Sequence, residues 1–246
     1  MDYPECSSVG MKNTTVMTEK SWVGLAKDWT LNDGNPEFLR ELQKKALAAF
    51  LNSKGPGKDE AWKYVNTEAL QQASFHQPQP ILSTVFADEA DIVFHCGRLA
   101  ALNNPNPGME VLRIREAVQA YGAIVDSFFS RLIKDENPFV PLSGALADGL
   151  FINVPAGIRA ELPLSVLFHQ REESGLLLAH HLIVVLGEGA SLDLYLNLGH
   201  EGVGHLNALL LQADLGKNAR LHLVNVNDGF FNGFRFDQTR IRMSEK

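Results

Sequence analysis

The chain has 246 residues and carries 22 Lys and Arg against 29 Asp and Glu, for a formal net charge of −7. Its 45% hydrophobic and 21% charged residues exclude a disordered chain, which lacks the apolar surface needed to offset the entropy of ordering. The charges are spread evenly, and with no basic block to neutralise phosphates a nucleic acid is not an expected partner.

Residues 1–6 hold neither a basic nor an apolar signal segment, so no signal peptide is expected. The longest strongly apolar stretch, residues 176–186, is broken by His180 and His181, and a membrane-spanning helix needs about 20 apolar residues. Two cysteines, Cys6 and Cys96, make no disulfide framework. A cytoplasmic, soluble protein with no membrane partner is the expectation.

In chain order, residues 1–34 read as a partly ordered lead-in, with Trp22, Val23, Leu25 and Trp29 able to form a short amphipathic turn. An N-terminal α+β domain is expected over 35–136. Asn35 is placed as an N-cap with Pro36 at the first helical position. Phe38, Leu39, Leu42, Ala46, Leu47 and Phe50 recur at helical spacing, and Gly55-Pro56-Gly57 stops the helix. Residues 77–84 read as a linker. Val85-Phe86 and Ile92-Val93-Phe94 suggest a small hairpin, Asn103 to Gly108 a break, and 109–134 a second long helix in which Gly122 is a tolerable cost.

From 137 onward short apolar runs alternate with glycine turns. Leu186-Gly187-Glu188-Gly189-Ala190-Ser191-Leu192 aligns with Leu215-Gly216-Lys217-Asn218-Ala219-Arg220-Leu221 at an offset of 29 residues, and Val154-Pro155-Ala156-Gly157 is a weaker copy. A fixed period of strand–turn–strand units argues for a β-solenoid. The expected fold is therefore α+β: an N-terminal helical domain, then over 137–246 the first coils of a truncated right-handed parallel β-helix. One further period from Leu215 reaches Ser244. The chain thus reads as part of a longer solenoid, or else as one whose edge is blunted by Arg240, Arg242, Glu245 and Lys246.

For metal or cluster chemistry the cysteines are too few. Cys96 beside His95 is expected to be a buried structural thiol, because adjacent strand residues point to opposite faces. The same alternation separates His180 from His181. His200 and His205 flank a glycine turn that could close on a metal, with no third ligand identifiable. Metal ligation is left unknown, and no catalytic or cofactor-binding residue is assigned. Gly55-Pro56-Gly57-Lys58 is not a phosphate loop, and there is no Gly-x-Ser-x-Gly elbow. Gly149, Pro155 and Gly157 fit the start of a cupin motif, but Ala160 stands where that motif needs its later His, and no His-x-His precedes it.

Several segments together resemble the SufD branch of the SufB/SufD family. They are Arg40 through Ala46-Leu47 to Asp59-Glu60-Ala61-Trp62-Lys63-Tyr64, then Val85-Phe86 with Gly97-Arg98-Leu99, then Asn137-Pro138-Phe139 through Asp148-Gly149 to Pro155-Ala156-Gly157, and the glycine turns after it. The resemblance is collinear from about 36 to 246. It implies a non-catalytic scaffold subunit of the SUF iron–sulfur cluster assembly machinery, pairing with the paralogue SufB through the β-helix and contributing to iron supply. A homodimer is the other pairing left open. It implies binding to the SufC ATPase through a C-terminal segment that family members carry and this sequence lacks. No cofactor is expected on the isolated chain, and iron or an Fe–S cluster only transiently in the complex. Trp62, Lys63 and Tyr64 match the family with anchoring as their expected role. The competing readings are a cupin-like metalloenzyme and a β-solenoid ligand-binding protein.

Overall fold

The computed structural model describes residues 20–29, 34–53, 62–64, 67–78, 90–171, 174–227 and 231–244. Cys6, Gly55 to Ala61, Val85-Phe86, Glu245 and Lys246 lie outside the described residues.

A short strand β1 (Lys20–Ser21) leads into α1 (Trp22–Lys27), which buries Trp22 and Leu25 of the expected amphipathic turn together with Ala26, and leaves Val23 exposed. Helix α2 (Glu37–Asn52) starts one residue later than the capping signal implies, with Pro36 at the N-cap. Asn35 is buried and its Nδ2 donates to Gln43 Oε1 at 2.9 Å, so its side chain serves the buried face of the helix and not its first N–H groups. Helix α3 (Thr67–Gln72) is followed by β2 (Ser74–Phe75), antiparallel to β1.

Strands β3 (Ile92–His95) and β4 (Arg98–Leu102) form a hairpin closed by Cys96-Gly97, with φ of 46° and 77°. Two consecutive positive φ values are the type I′ turn, whose twist matches that of the strands. The segment expected to open a helix at 109 instead holds β5 (Glu110–Arg113), which pairs antiparallel with β6 (Leu150–Val154). Tertiary pairing overrides the helical periodicity there. Helix α4 (Ile114–Leu132) kinks at Tyr121 (φ −122°, ψ 24°), beside Gly122. The kink lets the Tyr121 ring stack on Phe151, with centroids 4.9 Å apart, while its hydroxyl donates to Glu110.

Helix α5 (Phe139–Leu146) occupies a stretch expected to begin the β coils. Asn137 Oδ1 accepts the Phe139 N–H at 3.0 Å, and all eight helical residues are buried. Burial in the helical layer, not intrinsic propensity, holds this Pro- and Gly-containing helix.

The remaining strands are β7 (Leu164–Arg171), β8 (Leu177–Leu186), β9 (Ser191–Asn197), β10 (His200–Leu215), β11 (Arg220–Val226) and β12 (Phe231–Met243). They build two mostly parallel sheets. One runs β5-β6-β8-β10-β12 and the other β4-β3-β7-β9-β11, antiparallel only at β5–β6 and at the β3–β4 hairpin. A short pairing of His200-Glu201 with Gln170-Arg171 joins them. From β6 onward successive strands alternate between the sheets. The glycine-turn alignment recurs as register, with Leu186 opposite Leu215 and Ser191 opposite Arg220. The fold is mixed α+β: two mostly parallel sheets and a few helices.

Strand alternation divides the core. On β10, Leu206, Ala208 and Leu210 face the helices, whereas Leu209, Leu211 and Ala213 pack between the sheets. Each fully buried Leu contributes about 1.5–3 kcal/mol. Aromatic stacking fastens the helical layer to the first sheet: Phe139 lies on Phe236 with centroids 3.6 Å apart, and Trp22 lies on Phe139 at 5.3 Å.

One polar brace ties the layers. Arg113 donates to Asp148 Oδ2 (3.0 Å) and to Leu99 O (2.8 Å), and Asp148 Oδ2 also accepts the Leu99 N–H (3.1 Å). Asp148→Ala leaves a guanidinium and a backbone donor without their acceptor. The expected loss is about 2–4 kcal/mol, read as a lower urea midpoint at unchanged m-value.

Candidate functional site

The hairpin tip collects the sulfur and two imidazoles. Strand β3 runs parallel to β7 with His95 opposite His169, residues 74 apart in sequence, which stacks their rings at 5.1 Å with the two Nδ1 atoms 3.0 Å apart. Cys96 sits in the turn and not in the strand. The alternation expected to separate it from His95 therefore does not apply, and Cys96 Sγ lies 3.7 Å from His95 Nε2. The Cys96 N–H donates to His169 O at 3.0 Å, and the thiol is buried.

The three groups line up without converging, since His95 turns Nε2 to the sulfur and Nδ1 to His169. Burial, and then the neighbouring His169, push the His95 pKa down to about 4. An imidazole so weakly basic does not take the thiol proton at neutral pH, which a Cys–His nucleophile requires. Among the described residues no group of three or more His, Cys, Asp or Glu is placed to hold a metal ion.

His180 and His181 do face opposite ways. His180 lies between the sheets against the rings of Phe94 (5.3 Å) and Phe168 (4.7 Å). His181 faces the helices, its ring 5.5 Å from Phe129 and its Nε2 2.9 Å from Gln212 Oε1. Burial pushes the His181 pKa down to about 4. His200 and His205 do not flank a turn as expected: both belong to β10, whose register shifts between Val203 and His205 around Gly204 at φ +74°. An irregular strand, not a loop, absorbs those glycines. Ala160 donates its N–H to Ser191 O at 2.9 Å, a corner contact. Trp62 packs edge-on against Phe139 (5.8 Å) and Phe236 (6.0 Å), an anchoring position, while Tyr64 is exposed beneath the Lys63 ammonium.

Strand β12, the last described strand of the first sheet, carries features that sequence reasoning missed. Arg240 and Arg242, expected to blunt an edge, instead turn toward the helices and line a cleft of about 190 Å³ against α4. Arg242 and Arg131 both reach Asp214, at 2.6 and 3.1 Å, and Arg240 reaches Asp135 at 2.8 Å. The available signal was the spacing of two between the arginines, which places them on one strand face. Ile241 and Met243 alternate with them onto the inter-sheet side, where they are 48% and 74% exposed. Among the described residues β12 has β10 as its one strand neighbour.

No protein-family model matches the chain. A similarity is found to an iron–sulfur cluster assembly SufBD family protein of Archaeoglobus fulgidus, 25% identical over 122 residues, which cover 49% of this chain and 32% of that protein. That distant similarity suggests the SufB/SufD family. The matched stretch spans about a third of the SufBD relative. No helix among the described residues is long and apolar enough to cross a membrane.

Proposed function

We propose that the chain is a SufD-like scaffold subunit in iron–sulfur cluster assembly, without catalytic activity of its own. Its two sheets are then the two faces of one right-handed parallel β-helix, each coil giving one strand to each face. The observation that carries the reading is the parallel ladder. Strands stack with Leu186 opposite Leu215 and Leu215 opposite Met243, so each coil lies on the one before. The distant SufBD similarity is its second support. The parallel pairing also weighs against a cupin, whose jelly roll is antiparallel.

In this reading a SufB-like paralogue docks on β12, where Ile241 and Met243 are exposed among the described residues. Such a partner would supply the thiolates that two cysteines cannot. The SufC-type ATPase would supply nucleotide hydrolysis, and iron or a nascent cluster is the cargo of the complex.

Anaerobic co-expression with the SufB- and SufC-type proteins of the same organism tests this. The expected result is a stable complex containing the SufB-like protein, lost in an Ile241→Glu/Met243→Glu double variant that keeps the wild-type circular dichroism. No complex, or one indifferent to the double variant, overturns the reading.

A further inference from the structure

Two polar side chains buried between the sheets have hydrogen-bonding capacity that the described residues do not meet. Asn207 is 0% exposed, and neither its Nδ2 nor its Oδ1 has a partner. His205, two residues earlier on β10, is 1% exposed. Its Nδ1 accepts the Leu176 N–H at 3.0 Å, so the ring proton of the neutral imidazole is on Nε2, and that Nε2–H meets no acceptor. Leu206 and Ala208 face the helices while Leu209 packs between the sheets. His205 and Asn207 therefore share the inter-sheet face of β10, about 6.6 Å apart along the strand.

A cation stands beside them. Arg235 is opposite Asn207 in the β10–β12 register, one strand spacing of about 4.8 Å away. Its side chain is 12% exposed and is oriented by Asp237 (2.7 Å) and Asn227. The site thus spans β10 and β12.

The chemistry of these groups selects the ligand. A metal ion is ruled out at His205, because Nε2 holds the proton and the lone pair of Nδ1 is engaged by Leu176. What remains is two N–H donors without an acceptor, on the strand beside the Arg235–Asp237 ion pair, and unengaged donors of this kind receive negative charge. We propose that His205, Asn207 and Arg235 form an internal site for a small monovalent anion, from a halide to a linear triatomic ion.

Thermal unfolding of the full chain in sodium bromide or azide, against sodium gluconate at matched ionic strength, reads the binding. Gluconate, a six-carbon polyhydroxy anion, is the bulky reference. Wild type should show a saturable rise of about 3 °C at ten times the dissociation constant. The rise should vanish in Asn207→Leu, which repeats the Leu178 opposite it on β8. Crystals soaked in bromide should show an anomalous peak between His205 Nε2 and Asn207 Nδ2. That readout uses wild type alone and stands if the variant does not fold. The absence of a saturable rise, a rise that persists in Asn207→Leu, or density for ordered water only would overturn the proposal.

Discussion

Between pH 7 and pH 5 the protein should lose several kcal/mol of stability, before most of its carboxylates begin to titrate. His95, His181 and His205 each have a folded pKa pushed down to about 4, chiefly by burial, with a neighbouring histidine adding to it at His95 and His205. The unfolded value is about 6.5. Because the folded pKa is the lower, the unfolded chain binds more protons in this window and stability falls as pH falls. The contribution of each group is complete above pH 6.5, declines through the interval and is gone below about pH 4. At pH 5 each imidazole accounts for a loss of about 2 kcal/mol. Three together approach the whole stability of an ordinary domain.

Urea midpoints at half-unit steps from pH 8 to pH 5 measure this directly. His181→Gln removes a titrating ring and keeps a polar group near Gln212, so it should recover about 2 kcal/mol of the loss at pH 5. A midpoint that stays flat down to pH 5 would mean that these rings are hydrated in solution.

The same histidines mark where the sequence was legible and where it was not. Alternation along one strand is a local rule, and it correctly put His180 and His181 on opposite faces, where the structure packs them against Phe168 and Phe129. The 29-residue glycine turns were legible for a related reason, because the repeat in the sequence is the register in space. The His95–His169 contact was not. It depends on β3 pairing with a strand 74 residues away, and no local pattern signals that partner. Cys96 misled because a Cys-Gly type I′ turn lacks the usual Asn or Asp. Helix α5 was hidden by its own composition, since Pro141 and Gly144 argue against a helix until the packing is known. A Cβ at Gly144 would lie 2.7 Å from Leu132 Cδ2, so Leu132 of α4 packs into the space left by the residue that made the helix hard to read.

The glycine corners offer the sharpest mutational contrast. Gly187 and Gly189 occupy the same turn yet should respond very differently to alanine. At Gly189 the backbone is left-handed (φ +66°), and an added Cβ meets nothing within 4 Å. Alanine there bears the conformational penalty alone, about 1 kcal/mol. At Gly187 the added Cβ would lie 2.4 Å from Ala156 N and 2.8 Å from Ala156 Cα, backbone atoms of the preceding corner. Those atoms are fixed by the bonds that join the corners, Gly187 N–H to Val154 O and Gly157 N–H to Glu188 O, each 2.8 Å. Gly216 repeats the arrangement one corner on, with its Cβ position 2.7 Å from Glu188 N. Neither corner can yield without breaking ladder bonds, so Gly187→Ala and Gly216→Ala should each cost about 3 kcal/mol or more. Gly189→Ala should stay near 1 kcal/mol. The three unfolding free energies, measured in one denaturant series, therefore report on the stacking itself. If Gly187→Ala is as mild as Gly189→Ala, the corners do not touch, and the coil-upon-coil arrangement on which the assembly reading rests is lost with them.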